Sequence, residues 1–431
     1  MSTSPATTPL GADGIESFRA SLHGPLLEPH SPGYDQARTI WNAMIDRHPG
    51  LIVRCTEVTD VVHAVRFAAA NRLTLAVRGG GHNIAGTAVC DGGLMIDLTP
   101  MAQVIVDPVA RTARVGPGAT LADFDRAAQA HGLATPLGIN STTGVAGLTL
   151  GGGFGWLSRR FGLTIDNLLS ADVVLADGSL VRTSEHDHAD LFWAIRGGGG
   201  NFGVVTRFQY RLHDLPQIVG GLIFLPATPE VIAGFIRAAE EAPEELSTIL
   251  NVMTAPPMPF LPAEHHGKLV IMGMLTYAGD VEAGQRAIAP FRALAAPLAD
   301  LVRPMPYSGM YPPAEPGAEE YHPIATSRIL FLDRVDLDVA RSIVDRLEAH
   351  RTAPGVQMVA AQLRVLGGAA ARVPVDATAF AHRASRIMLA VAAIVGSADD
   401  LAEHEAWVTA QAAELVQGDR GAYVNFVADE G

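Results

Sequence analysis

Val77-Arg78-Gly79-Gly80-Gly81-His82-Asn83-Ile84-Ala85-Gly86 is the stretch on which the fold turns. The apolar run Leu73–Val77 before it reads as a strand that stops abruptly in three glycines and a histidine. Glycine has no Cβ to block approach and tolerates positive φ, so such a loop can offer several backbone N–H groups at close range. A dinucleotide pyrophosphate, with two negative charges, needs that kind of cradle, and Arg78 is expected to add charge to it. The bland alternative is a tight loop without a ligand.

Two further glycine clusters lie downstream, Gly144-Val-Ala-Gly147-Leu-Thr-Leu-Gly151-Gly152-Gly153-Phe-Gly155 and Arg196–Gly203. One cluster favours the bare loop; three in one region favour a nucleotide. The third contains G-x-G-x-x-G at Gly198, Gly200 and Gly203. Its context is reversed, however, with a helix expected before it at Asp187–Ile195 and a strand after it at Val204–Leu212. A dinucleotide fingerprint must follow a strand and open a helix, so that the helix dipole meets the pyrophosphate. A Walker sequence is absent as well.

Around the clusters, strands and helices alternate. Gly33–Arg47 reads as a lead-in helix, Leu51–Cys55 as a strand, and Thr59–Asn71 as an amphipathic helix with Val61, Val62, Val65 and Ala69 on one face. Strands follow at Leu94–Leu98, Gln103–Asp107 and Thr112–Val115, then a helix at Leu121–His131 and a hairpin at Leu168–Thr183 turning on Asp177-Gly178. Past residue 215 or so the strands lengthen: Ile218–Leu225, Ser247–Thr254, Lys268–Tyr277, Val356–Leu366 and Ile387–Val395. Helices are expected at Pro229–Glu241, Val281–Ala295 and Asp338–His350, and the proline-rich Met305–Gly317 is expected to wrap the surface. Asp400–Val416 reads as a helix and Tyr423–Val427 as a strand.

A chain of 431 residues exceeds what one core usually serves. The reading is α+β: residues 1–215 (core about 46–215) form a cofactor domain, and 216–399 a second domain with an antiparallel sheet backed by helices. Residues 400–431 are expected to return to the first domain. A formal charge of −14 disfavours nucleic acid and anionic membranes as partners. The apolar runs are too short to span a bilayer, and the N-terminus lacks a signal pattern. Cys55 and Cys90 require no disulfide, so a cytoplasmic location is expected.

Val77–Gly86, Gly92–Leu98, Gly144–Gly155, Phe192–Thr206 and Tyr423-Val-Asn-Phe426 together resemble the PCMH-type FAD-binding domain of the vanillyl-alcohol oxidase superfamily. The likeness, strong over about residues 33–212, is to its berberine-bridge-enzyme-like oxidases. The resemblance implies FAD as cofactor in a two-part domain. It places Arg78, Gly79, Gly80, Gly81, His82, Asn83, Gly86, Asn140, Ser141, Thr142, Gly144, Gly147, Gly152, Gly153, Gly155, Val205, Tyr423 and Asn425 at that cofactor. It also implies a covalent bond from His82 to the flavin 8α-methyl group; a histidine that only lines a loop is the alternative. Many relatives add a second link from a cysteine where this chain has Asn140, so a single linkage is expected. Cys90 reads as a packing thiol. A covalent imidazole link retains the flavin and raises its potential, which suits an oxidase.

The usual bases are missing. Relatives that end in Tyr-x-Asn-Tyr use the second tyrosine, and here that position is Phe426. Others place a carboxylate in the strand after Phe-x-His-Arg; here Phe380-Ala-His382-Arg383 precedes Ile387–Val395, which contains no acid. Tyr423 and Asn425 remain candidates, as do Tyr321, His322 and Asp333. A neutral amine needs less help from a base, since its lone pair drives hydride loss. The expected reaction is hydride transfer from a small amine, alcohol or secondary metabolite to flavin N5, with O2 as acceptor. The alternatives are a dehydrogenase with another acceptor, a flavin carrier without turnover and, lower still, an NADPH-fed reductase. No metal site is expected. Relatives continue past the Tyr-x-Asn motif, so the resemblance implies a truncated C-terminus.

Overall fold

Short β-branched runs build three main sheets in this computed structural model, which describes residues 11–311, 322–418 and 421–427. The first sheet orders Leu26–Leu27, Leu51–Arg54, Leu94–Asp97 and Leu75–Arg78, and its last three strands are parallel. Parallel neighbours need a crossover. The helix Val58–Asn71 supplies one, burying Val61, Ala64 and Val65 in the core that also holds Val53, Leu94 and Ile96. The strand Leu75–Arg78 ends where Leu98 N–H bonds Arg78 O, and the glycine loop begins at the next residue.

The second sheet is antiparallel and orders Val104–Asp107, Thr112–Val115, Val204–Arg211, Leu168–Val174 and Leu180–Ser184. Its hairpin turns at Asp177-Gly178, with Gly178 at φ 77°. The helix Ala189–Ala194 precedes the third glycine cluster and the strand Val204–Arg211 follows it, so this G-x-G-x-x-G opens no helix.

The third sheet has eight antiparallel strands. Its six long ones run in the order Ile218–Pro226, Leu269–Tyr277, Leu246–Thr254, Val356–Val365, Ile387–Val395 and Ile324–Leu332. Alternation assigns its faces. Leu246, Leu250 and Val252 pack with the helices Pro229–Glu241 and Leu337–His350, while Ile249 packs with the second sheet's core. The other face is turned toward the second glycine loop, with Arg364 beside Phe154.

Several expectations are corrected. The lead-in helix shrinks to Tyr34–Arg38, because Gly33 is left-handed at φ 82° and Thr39 is extended; the following chain lies over the glycine loop, with Trp41 N–H on Gly81 O. A helix at Ala12–Ala20 and the strand Ile324–Leu332 were not foreseen. Tyr423–Val427 forms a turn closed by Phe426 N–H on Tyr423 O. In the segment Met305–Gly317, Tyr307 is buried edge-on to Trp156 instead of wrapping the surface, and 312–317 lie outside the described residues. The helix Leu401–Leu415 stays with the large sheet, burying Val408 and Leu415 in its core. Among the described residues past 400, only the turn at 423–426 reaches back to the glycine loops. Among the described residues, no helix is long and apolar enough to cross a membrane.

Candidate functional site

Five consecutive amides leave the first sheet unclaimed. Among the described residues, the N–H groups of Gly79, Gly80, Gly81, His82 and Asn83 donate to no protein acceptor. A half-buried row of bare donors is costly unless a ligand or water takes it up. A pyrophosphate fits such a row. The third cluster behaves differently, since Gly197 and Gly199 both donate to Leu150 O at 3.0 Å.

The glycines have separable reasons. A Cβ on Gly80 would stand 2.2 Å from Gly144 N, and one on Gly144 would stand 2.3 Å from Gly80 N. Glycine at both positions therefore lets the 78–82 loop lie directly against the 140–144 loop. Gly147 is exposed and has an ordinary φ, and a Cβ added there would meet nothing within 4 Å. Neither packing nor backbone conformation demands glycine there. Gly152 and Gly153 carry positive φ, and Gly155 lies against Leu137 O, so these shape the loop beyond the helix Val145–Leu150.

Some candidate side chains turn away from a ligand role. Arg78 bonds Ala37 O beneath the loop and buries an unpaired Nε, bracing the loop instead of adding charge above it. Asn83 Oδ1 accepts from Thr87 N–H and Oγ1–H, closing the turn to Gly86, which faces Ile45. Val205 is 4% exposed and paired with Val173 inside the second sheet. Ser141 contributes its carbonyl to Ala122 N–H. Cys55 and Cys90 are free, buried thiols.

His82 is held from two sides. Its ring stacks on Trp41 at 5.6 Å, and its Nε2 lies 2.8 Å from Thr142 Oγ1. Thr142 N–H lies 3.2 Å, and its Oγ1 3.1 Å, from Asn140 Oδ1. An amide N–H can only donate, so Asn140 presents oxygen to Thr142. The hydroxyl then gives its proton to the same oxygen and accepts from His82 Nε2–H, which leaves Nδ1 unprotonated. Burial, with His322 nearby, pushes the His82 imidazole down to about 4, so the ring is neutral near pH 7. His322 Nδ1 meets Ile40 O at 2.9 Å and Pro323 O takes Ala43 N–H, which brings the large sheet's edge over His82.

On the other flank, Tyr423 Oη accepts from Gly153 N–H at 2.9 Å and Asn425 Nδ2–H at 2.8 Å. Asn425 also donates to Leu148 O at 2.9 Å. Burial among Phe154, Phe380 and Phe426 pushes the Tyr423 phenol up to about 12. The pair is a brace on the second glycine loop, and neither group is poised as a base. Tyr321 lies outside the described residues, and Asp333 is exposed with its N–H on Gln417. His382 stacks on Phe331 and meets Ala422 O at 3.2 Å.

The six long strands of the large sheet contain no Asp, Glu, His or Lys. Of their two arginines, Arg328 pairs with Glu405 at 3.1 Å, on the helix Leu401–Leu415. Arg364 lies on the opposite face, 5.7 Å from the Phe154 ring and 5.3 Å from that of Phe426. Its neighbours there, Met272, Met274, Ala390 and Ala392, are half-buried and apolar, with one polar row at Asn251 and Gln362. Sequence reading missed Trp41, Asn251, Gln362 and Arg364. Polar residues two apart in the apolar strand Val356–Val365 were a usable sign for the last two, because period two sets them on one face. Among the described residues, no group of three His, Cys, Asp or Glu side chains could hold a metal ion.

Residues 49–184 match the FAD binding domain family. A FAD-linked oxidoreductase of Dictyostelium discoideum is 31% identical over 422 residues, covering 95% of this chain and 88% of that protein. The (R)-6-hydroxynicotine oxidase of Paenarthrobacter nicotinovorans is 33% identical over 284 residues, which is 65% of this chain and 61% of the oxidase, less than two thirds of its length. The solved structure of wild-type Physcomitrella patens BBE-like 1 superposes with a TM-score of 0.83 at 23% identity, over 96% of this chain and 91% of that one. The unclaimed amides, the glycine loops and this relationship agree: the chain has the fold of BBE-like 1 and belongs to the PCMH-type FAD-linked oxidoreductases.

Proposed function

We propose that this enzyme is an oxidase that removes a hydride from a C–H bond beside an uncharged nitrogen in a small organic molecule, with O2 as the final acceptor. The observation that carries the reading is the absence of Asp, Glu, His and Lys from all six long strands of the large sheet. An alcohol must lose its hydroxyl proton to a base as hydride leaves, whereas a neutral amine drives hydride loss with its own lone pair. The half-buried apolar face at Met272, Met274, Ala390 and Ala392 suits an apolar body better than a sugar. The relationship to a protein named as a hydroxynicotine oxidase supports the same substrate class.

In this reading residues up to about 215, with the turn at 423–426, hold FAD, and the sheet of 216–399 presents the substrate. FAD, when bound, supplies the hydride acceptor. The amides of Gly79 to Asn83 take its phosphates, and His82 holds it covalently through Nδ1. Thr142 and Asn140 keep the His82 proton on Nε2, so the nucleophilic lone pair stays on the nitrogen that must bond.

Two measurements test the reading. Intact mass of the denatured protein should show one flavin adduct, absent from His82→Ala. Anaerobic bleaching of the flavin should then occur with secondary and tertiary amines and not with oligosaccharides, and its pH dependence should follow the amine's own pKa. Bleaching by sugars, or a rate set by an ionising group of the enzyme, would overturn the amine assignment.

A further inference from the structure

Arg364 is a buried cation without an anion. It is 6% exposed, its Nε and Nη2 donate at 2.9 and 2.7 Å to the neutral Gln362 Oε1, and its Nη1 has no protein acceptor among the described residues. Among the described residues, the other buried arginines are compensated. Arg383 grips both oxygens of Asp166 at 2.7 Å, and Arg159 bonds Ala239 O and Ala242 O at the negative end of the helix Pro229–Glu241. An unpaired charge inside a protein is costly, so its retention points to a partner that arrives from outside.

The side chain is fixed in place. An arginine can only donate, so Gln362 must turn its oxygen toward Arg364 and its Nε2–H toward Asn251 Oδ1, at 2.7 Å. Asn251 in turn gives its Nδ2–H to Met272 O at 3.3 Å. This one-way relay crosses three strands and holds the guanidinium beside Phe154, in the loop that Tyr423 and Asn425 brace. Next to Arg364 is a cavity of about 40 Å³, walled in part by Phe154, Ser247, Ile249 and His382, with no Asp or Glu among the described lining residues. A single water needs about 10–15 Å³ by the same measure, so there is room for a small acid group. The buried Ser247 hydroxyl on its wall also lacks a partner.

We propose that Arg364 receives a carboxylate of the substrate, so that the oxidised molecule is a small acid bearing an amine rather than a simple amine. The assignment rests on reading the sheet face as the substrate site. Arginine suits the task because its planar fork keeps a free edge for a second acceptor while the first edge is anchored.

The test uses the purified holoenzyme and its Arg364→Gln and Arg364→Lys variants. Flavin absorbance and thermal melting are followed during titration with sodium propionate, with propionamide and with sodium chloride at matched ionic strength. In the wild type, propionate should half-saturate at least tenfold below propionamide, and chloride should have no effect. Arg364→Gln should lose the preference, and Arg364→Lys should retain a reduced one. Equal responses to propionate and propionamide overturn the proposal, as does an undiminished preference in Arg364→Gln. A chloride response equal to that of propionate makes this a site for free small anions and also overturns it. If Arg364→Gln does not fold, an undiminished preference in Arg364→Lys overturns it instead. A propionate preference in an enzyme whose flavin is bleached by sugars rather than amines would sustain the carboxylate site while sinking the amine reading.

Discussion

The glycine loop at 78–83 and the Arg364 face of the large sheet do their work with different material. The loop offers backbone: bare N–H groups, on a loop whose Gly80 has no Cβ and so lies directly against Gly144. The sheet face offers side chains drawn from strands more than a hundred residues apart, such as Asn251, Gln362 and Arg364. A backbone site is written contiguously in the sequence, because the residues that create it are neighbours in the chain. A side-chain site exists only once strands pair in register, here Asn251 opposite Gln362.

Breaking the backbone site should have the largest effect. Gly80→Ala puts a Cβ 2.2 Å from Gly144 N, where both partners are main chain and neither can yield like a side-chain tip. Loss of flavin loading is expected, with destabilisation of about 1–3 kcal/mol or more, read from denaturant melts and the flavin-to-protein absorbance ratio. An unchanged ratio would mean that the two loops are not locked together.

Thr142→Val should be next. It removes the acceptor of His82 Nε2–H while leaving the shape, so Nδ1 is no longer kept free of its proton. Covalent loading of the apoprotein with FAD should slow about tenfold, as expected from losing about 1–1.5 kcal/mol of one hydrogen bond. Mass spectrometry over time measures it, and non-covalent binding should persist.

Acid titration sharpens the comparison further. Burial is the main cause that holds both His82 and His213 down at about 4, against 6.5 for a free imidazole. Between those values the unfolded chain binds protons that the folded chain refuses, so stability should fall as pH drops from about 6.5 to 4. His82→Ala should make that acid limb shallower in melts of the apoprotein. An identical slope would place the His82 titration at its ordinary value.

Gly147→Ala is the mildest change and the most discriminating. With nothing within 4 Å of the new methyl, folding stability should hold or gain up to about 1 kcal/mol from helix propensity. Flavin affinity should nevertheless fall severalfold by fluorescence titration of His82→Ala apoprotein with and without the second change. Unaltered affinity would remove Gly147 from the ligand's surroundings.

What could be read in advance divides along the same line. The parallel unit around Val58–Asn71 follows from local patterning, as does the hairpin at Asp177-Gly178, because each is decided within a few residues. The strand Ile324–Leu332 escaped because Thr326, Ser327 and Arg328 break its apolar run; it is held by pairing along all nine residues with Ile387–Val395. Gly33–Arg47 misled in the opposite sense. Its helical pattern is real over Tyr34–Arg38, but beyond that the chain is drawn over the glycine loop by contacts to Gly81 and Pro323 that helix propensity does not know about. Arg78 looked like a phosphate ligand from its place in the motif, yet its side chain runs under the loop to Ala37.

By itself, then, the sequence determined the α+β class and the position of the glycine loops, since both rest on local composition and spacing, and its motifs carried the resemblance to the FAD-linked family. Tertiary structure alone decided that His82 meets Thr142 and Asn140, that Tyr423 braces Gly153, and that Arg364 sits buried without an anion beside Gln362. Those outcomes depend on desolvation and on hydrogen-bond direction. Both are set by what surrounds a side chain after the strands have paired, and no stretch of the chain carries that information alone.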